Sequence, residues 1–126
     1  MLERRPDDEL TEKIIGAAIE VHRELGPGLL ESVYEEALCY EFGFRGIKYE
    51  RQKPTDMFYK GHKLSSFKLD LLVENEVVLE LKAVTIPPNV VISQTISYLK
   101  ATNLKRGLII NFSAKRLIDG VKRVSV

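Results

Sequence analysis

The sequence predicts an α/β fold: two N-terminal helices, an antiparallel β-meander, then a crossover helix returning one more strand parallel to the third strand of a mixed sheet. Three observations lead there. Up to residue 42, apolar residues recur at steps of three and four. From Ile47 the apolar period drops to two. After Pro87 and Pro88 a helical pattern returns and runs into the short apolar strand "RGLIINF", of the kind buried on both faces. A strand–helix–strand run of this length implies a right-handed parallel crossover.

The first helix spans about residues 8–25. Leu10, Ile14, Ala17, Ala18, Val21 and Leu25 form its apolar stripe, and Gly26 suits the left-handed position beyond its end. "GPG" at 26–28 forces a break. The second helix covers about 29–42, with Leu30, Val33, Ala37, Leu38 and Phe42 as its buried stripe and Gly43 as its stop. "IKYERQ" and "TDMFYKG" read as one strand or two, interrupted near Pro54. "GH" at 61–62 turns the chain into a strand of about 64–73, and a short turn around Asn75 leads to another of about 77–83. The crossover helix spans about 89–102, with Asn103 able to take a left-handed C-cap. The segment 114–126 is compatible with a helical turn and an edge strand.

The totals restrict the function. With 126 residues, the chain is expected to form one domain, residues 1–126, with a core that needs no disulfide or structural metal. Cys39 is the only cysteine, which excludes a disulfide framework and a cysteine-based zinc cluster. No apolar run approaches the roughly 20 residues of a membrane span, and the polar N-terminus lacks the apolar core of a signal peptide. A cytoplasmic location without membrane contact is the expectation. The net charge of +1 divides into −6 over residues 1–50 and +7 over residues 51–126. Lys100, Lys105 and Arg106 belong to the most basic segment and are candidate phosphate contacts, the alternative being a solvated surface.

The stretch "FKLDLLVENEVVLELKA", residues 67–83, sets Asp70, Glu80 and Lys82 inside the most apolar part of the chain. Strand alternation puts Leu69, Leu71 and Val73 on one face opposite Lys68, Asp70 and Leu72; likewise Val77, Leu79 and Leu81 oppose Val78, Glu80 and Lys82. With a turn centred on Asn75, paired residue numbers sum to 150. Asp70 then faces Glu80, with Cβ atoms roughly 4.5–5.5 Å apart. Two carboxylates that close need a positive partner, either Lys82 or a divalent cation. The spacing suits metal-assisted phosphodiester hydrolysis. A charged solvent face bridged by Lys82 is the other reading.

"GLLESVY", residues 28–34, resembles the signature of the GxxExxY protein family, with Gly28, Glu31 and Tyr34 at its three named positions. The resemblance continues through "LDLLVENEVVLELKAV" and "YLKATNLKRGLIINF". That family looks like a compact branch of the PD-(D/E)xK nuclease-like superfamily. The resemblance implies a restriction-endonuclease-like core and a Mg²⁺- or Mn²⁺-dependent nuclease site. By this resemblance Asp70 takes the place of the motif's Asp, and Glu80 and Lys82 take its ExK. Metal would be held by Asp70, Glu80, the Leu81 carbonyl and Glu31, while Lys82 and Gln94 complete the catalytic set. The motif's proline is absent, since Leu69 precedes Asp70. The implied partner is nucleic acid, DNA in the first instance. A non-catalytic nuclease-fold module binding nucleic acid or protein is the alternative, and a homodimer is compatible with either. Residue by residue, Glu31 also reads as an acid favoured by the helix dipole. Tyr34 and Tyr98 also read as packing residues, and His22 and His62 are too isolated to suggest a metal site.

Overall fold

The computed structural model describes residues 6–126. Helices α1 (Pro6–Leu25) and α2 (Glu31–Phe44) come first. Strands β1 (Tyr49–Thr55), β2 (Phe58–Tyr59), β3 (His62–Lys63), β4 (Phe67–Val73) and β5 (Val77–Lys82) follow. Helix α3 (Pro88–Thr102) then leads to β6 (Arg106–Asn111), a short 3₁₀ turn (Leu117–Gly120) and β7 (Val121–Ser125). The main sheet has the order β1-β4-β5-β6-β7. Strands β5 and β6 run parallel, and the other neighbours are antiparallel.

Helices cover both faces of this sheet. On one face Ile14, Ala18, Leu38 and Phe42 of α1 and α2 pack with Leu71, Leu79, Leu81 and Ile110. On the other, Val91 and Leu99 of α3 pack with Leu72, Val78, Ile109 and Val124. Burial from both sides is why β5 and β6 are apolar along nearly their whole length. The expected hairpin register holds: Leu71 pairs with Leu79, Leu72 with Val78 and Val73 with Val77. Its turn depends on Glu74 and Asn75, both with positive φ, as the right-handed twist of the strands favours. Asn103 does take the left-handed C-cap position of α3, at φ 58°.

Several local expectations are corrected. Pro54 does not interrupt a strand: it lies within β1 and pairs with Lys68, tolerated because β1 is a sheet edge. The residues around Gly61 form a separate two-stranded ribbon, β2–β3, and β4 begins only at Phe67. Gly43 stays helical, and Gly46, at φ +69°, carries the left-handed turn after α2. The buried side of α2 is Tyr34, Glu35, Leu38, Cys39 and Phe42, so Leu30 and Val33 face outward. His22 is a core histidine, its Nε2 2.9 Å from the Ala114 carbonyl.

The close approach of α3 to the sheet depends on Gly107. A Cβ there would lie 3.0 Å from Thr95 Cγ2 and 3.3 Å from the Val78 carbonyl oxygen. Gly107→Ala should therefore destabilise the fold by about 1–3 kcal/mol. Adding Thr95→Ser, which removes the opposing methyl, should recover part of that loss. Urea unfolding of the single and double variants checks this; equal losses would rule out the steric account.

Candidate functional site

The β4–β5 ladder stops at the Leu71–Leu79 pair. The next residues are Asp70 and Glu80, and there the strands part. Asp70 does not continue the ladder with its main chain. Its side-chain Oδ2 instead accepts the Leu81 N–H, at 2.8 Å. The same point interrupts the other side of β4: the β1–β4 register runs Arg51↔Leu71, then Lys53↔Leu69, with no pair between. Gln52, at the gap, has φ 52°. The distortion overturns strict alternation on β4. Leu69 belongs to the α3-side core with Leu72, whereas Leu71 and Val73 belong to the opposite core. The acids do meet, as the register predicts, but in a split between strands and not across a flat sheet face.

Glu80 is 2% exposed, and its Oε1 is buried without a hydrogen-bond partner. Burial, then the neighbouring Asp70, pushes the Glu80 carboxyl up to about 9, while Lys82 acts the other way. Glu31, in the first turn of α2, is also raised, first by burial and then by Asp70, with Lys82 again opposing. Lys82 thus lies close to two of the acids. The Tyr98 phenol is raised by burial and by the Glu80 and Asp70 carboxylates, so it too lies in their neighbourhood. Tyr98 is held there by stacking on Phe67, with ring centroids 4.2 Å apart.

An unmatched buried carboxylate oxygen beside a second carboxylate suits a hard divalent cation, which takes oxygen ligands and keeps several waters. Among the described residues, no three His, Cys, Asp or Glu side chains form a ready metal cage. Glu31 therefore stands beside the Asp70–Glu80 pair without closing a three-acid cage around it.

The other predicted residues distribute as follows. Leu81 contributes its main chain at the split, and its side chain is fully buried in the α1–α2 core. Gly28, at φ +103°, and Tyr34 shape the approach to α2. The Tyr34 hydroxyl donates to the Gly26 carbonyl and accepts the Leu29 N–H, and its ring stacks on Phe112 at 4.4 Å. That clamp fixes the loop leading to Glu31. Gln94 is exposed on α3, one turn before Tyr98, and no hydrogen bond joins it to the acids. Lys100 and Lys105 are exposed. Arg106 bonds to Thr11 and Glu76 and sits level with Val77, at the far end of β5 from Lys82. Five residues separate those levels, about 16 Å along a strand. Glu35 and Gln52 join the cluster without having been expected: Gln52 Nε2 lies 2.7 Å from Glu35 Oε1 and 3.5 Å from Asp70 Oδ1. Glu35 carries no signal beyond helical spacing from Glu31, and Gln52 carries none.

A mixed five-stranded sheet with helices on both faces defines a restriction-endonuclease-like fold, here split at an Asp and followed by Glu-x-Lys. The family model of the PD-(D/E)XK nuclease superfamily matches residues 8–124, and the chain belongs to that superfamily. Comparisons with curated proteins and with solved structures give no significant match.

The raised Glu80 has a consequence for stability. Between its ordinary 4.5 and about 9, the folded chain binds a proton that the unfolded chain has lost. Stability of the cation-free protein should therefore fall as pH rises through that window. At pH 7 the penalty is about 3 kcal/mol, from 1.36 kcal/mol per pH unit above 4.5. Glu80→Gln removes it and should stabilise the protein by roughly 2–3 kcal/mol at pH 7, but little at pH 4.5. Urea unfolding in a chelator at both pH values checks this; an equal effect at both would refute it.

Proposed function

We propose that this protein is a Mg²⁺- or Mn²⁺-dependent phosphodiesterase acting on nucleic acid, with DNA as the substrate to test first. The observation that carries the reading is the buried, unpartnered Glu80 oxygen beside Asp70. Nothing in a charged solvent face calls for burying one acid beside another. Membership of the nuclease superfamily supports the same chemistry, and superfamily members generally use divalent metals. We place the chain in the GxxExxY branch on Gly28, Glu31 and Tyr34.

Asp70 and Glu80 would hold the cation, with the Leu81 carbonyl as a further donor and Glu31 at the margin. When bound, the ion neutralises the acid pair, polarises the phosphate and acidifies water. Lys82 orients the attacking water and stabilises negative charge growing on the phosphate oxygens. Water adds to phosphorus as the P–O bond to the leaving oxygen breaks, giving a phosphate monoester and a free hydroxyl. Tyr98, near the acids, would be a donor for that phosphate, and Gln94 one turn earlier would contact the substrate outside the acid pair. A cavity of about 140 Å³ beside Lys82, lined also by Ile86, Asn111, Asp119 and Lys122, has room for a phosphate group but not for a whole nucleotide. Lys100 and Lys105 would meet phosphates remote from the cut, whereas Arg106 is engaged with Glu76 and Thr11.

Linear, supercoiled and single-stranded DNA and RNA should be tested with Mg²⁺, Mn²⁺ and chelator. Cleavage should require the cation and fall at least 100-fold in Asp70→Ala, Glu80→Ala and Lys82→Ala, the range expected when a general acid–base or electrostatic group is removed. Cleavage that persists unchanged in Glu80→Ala would sink the mechanism. Absence of both cleavage and millimolar cation binding would favour the non-catalytic module.

A further inference from the structure

Gln52 is the unusual residue on β1. A long side chain at φ 52° is strained by about 1 kcal/mol or more, a conformation that persists only where its surroundings enforce it. The strain coincides with the missing rung between Arg51↔Leu71 and Lys53↔Leu69, where Asp70 stands opposite. The register is the same on both sides of the gap, so no extra residue has been inserted. Both strands deviate together.

The deviation has a direct effect on side-chain direction. In a regular strand Arg51 and Gln52 would point to opposite faces. Here both reach the same buried carboxylate: Arg51 Nε is 2.8 Å from Glu35 Oε2, and Gln52 Nε2 is 2.7 Å from Glu35 Oε1. Glu35 is 7% exposed and sits one helical turn after Glu31. Its two oxygens are thus held by two consecutive residues of β1. A primary amide nitrogen carries two hydrogens. With Nε2 anchored on Glu35, the second hydrogen is left for Asp70 Oδ1, at the longer distance of 3.5 Å. Only the amino end of the amide fits between two carboxylates, because its oxygen would repel both.

We infer that Gln52 is a positioning residue: anchored on Glu35, its amide orients the Asp70 carboxylate at the split between β4 and β5. Asp70 then has one oxygen tied to the Leu81 N–H and the other turned toward Gln52. Its importance to catalysis rests on the nuclease reading above, but its effect on Asp70 does not. Charge balance alone does not require this arrangement, since Arg51 already neutralises Glu35.

Gln52→Gly tests the inference, because glycine keeps the positive φ without strain while the amide is lost. Gln52→Met, which keeps side-chain length without donors, is the second variant. Two readouts apply. The first needs no cation: hydrogen exchange of the Leu81 amide, which Asp70 holds, relative to the Leu79 amide. The second is Mn²⁺ affinity by calorimetry. In both variants, Leu81 exchange should accelerate at least fivefold relative to Leu79, and Mn²⁺ binding should weaken about tenfold. Gln52→Gly should remain as stable as the parent or more so, an outcome opposite to that of a merely structural residue. If Leu81 exchange is unchanged in the variant that folds, the inference is overturned, whatever happens to Mn²⁺ binding. If Leu81 exchange accelerates but the parent protein binds no Mn²⁺, the positioning role stands and the nuclease reading fails.

Discussion

A buried carboxylate, Glu80, is held beside a half-buried one, Asp70, and the rest of the site follows from the problem they pose. Glu80 lies on β5, the middle strand of the sheet, with packed residues on both of its faces. It cannot turn outward to be hydrated without dragging a core strand with it. Asp70 meets it only because β4 parts from β5 one residue beyond the last ladder pair. A flat hairpin would have satisfied the main chain there but left the Asp70 side chain on the sheet face. The split gives up a rung of the ladder and turns the Asp70 carboxylate toward the Leu81 N–H. One lost backbone pairing is thereby replaced by a charge-assisted bond, which is typically the stronger kind.

The surroundings of the pair are supplied by elements distant in sequence. Helix α2 brings Glu31 and Glu35 from one side, α3 brings Tyr98 from the other, and β1 brings Arg51 and Gln52 from the edge. Each is secured by ordinary packing outside the acids. Tyr34 stacks on Phe112 and clamps the Gly26–Leu29 loop, so the start of α2 is fixed. Tyr98 stacks on Phe67. Three residues therefore divide the work: Gly28 permits the turn, Tyr34 anchors it, and Glu31 is carried to the acids.

Much of this was legible in the sequence because it depends on period and count. Hairpin numbers summing to 150 predicted the register, and three-and-four spacing placed the helices. The apolar run of β6 announced its burial from both sides. What failed did so for physical reasons. Alternation puts Leu69 on the α1–α2 face because it assumes an unbroken strand, and the break at Gln52 and Asp70 moves it to the α3 side. Leu30 and Val33 looked buried, but α2 is rotated so that Glu35 takes an inward place, and an inward glutamate has no signature when its partners lie on another element. Arg106 looked like a free surface charge because Glu76 and Thr11 come near it only in three dimensions. Tyr98 packs its ring on Phe67 while lying near enough to Glu80 and Asp70 to feel their charge.

The arrangement also makes a proton and a cation rivals for one place. Without a cation, the burial that raises Glu80 favours its protonated form at neutral pH, and the acid pair then carries less than its full charge. On the proposed metal reading, a divalent ion would have to displace that proton before both oxygens are available to it, so ion binding would become tighter as pH rises. The ion-free fold would then be least stable in the same pH range where the proposed ion binds best. Strain of this kind is tolerable because the two cores flanking β5 are continuous and do not depend on the acids. Relieving it with a neutral side chain would improve the scaffold and, on the proposed reading, remove a ligand of the ion. This is the sense in which the stability of a fold and the chemistry of its site oppose each other.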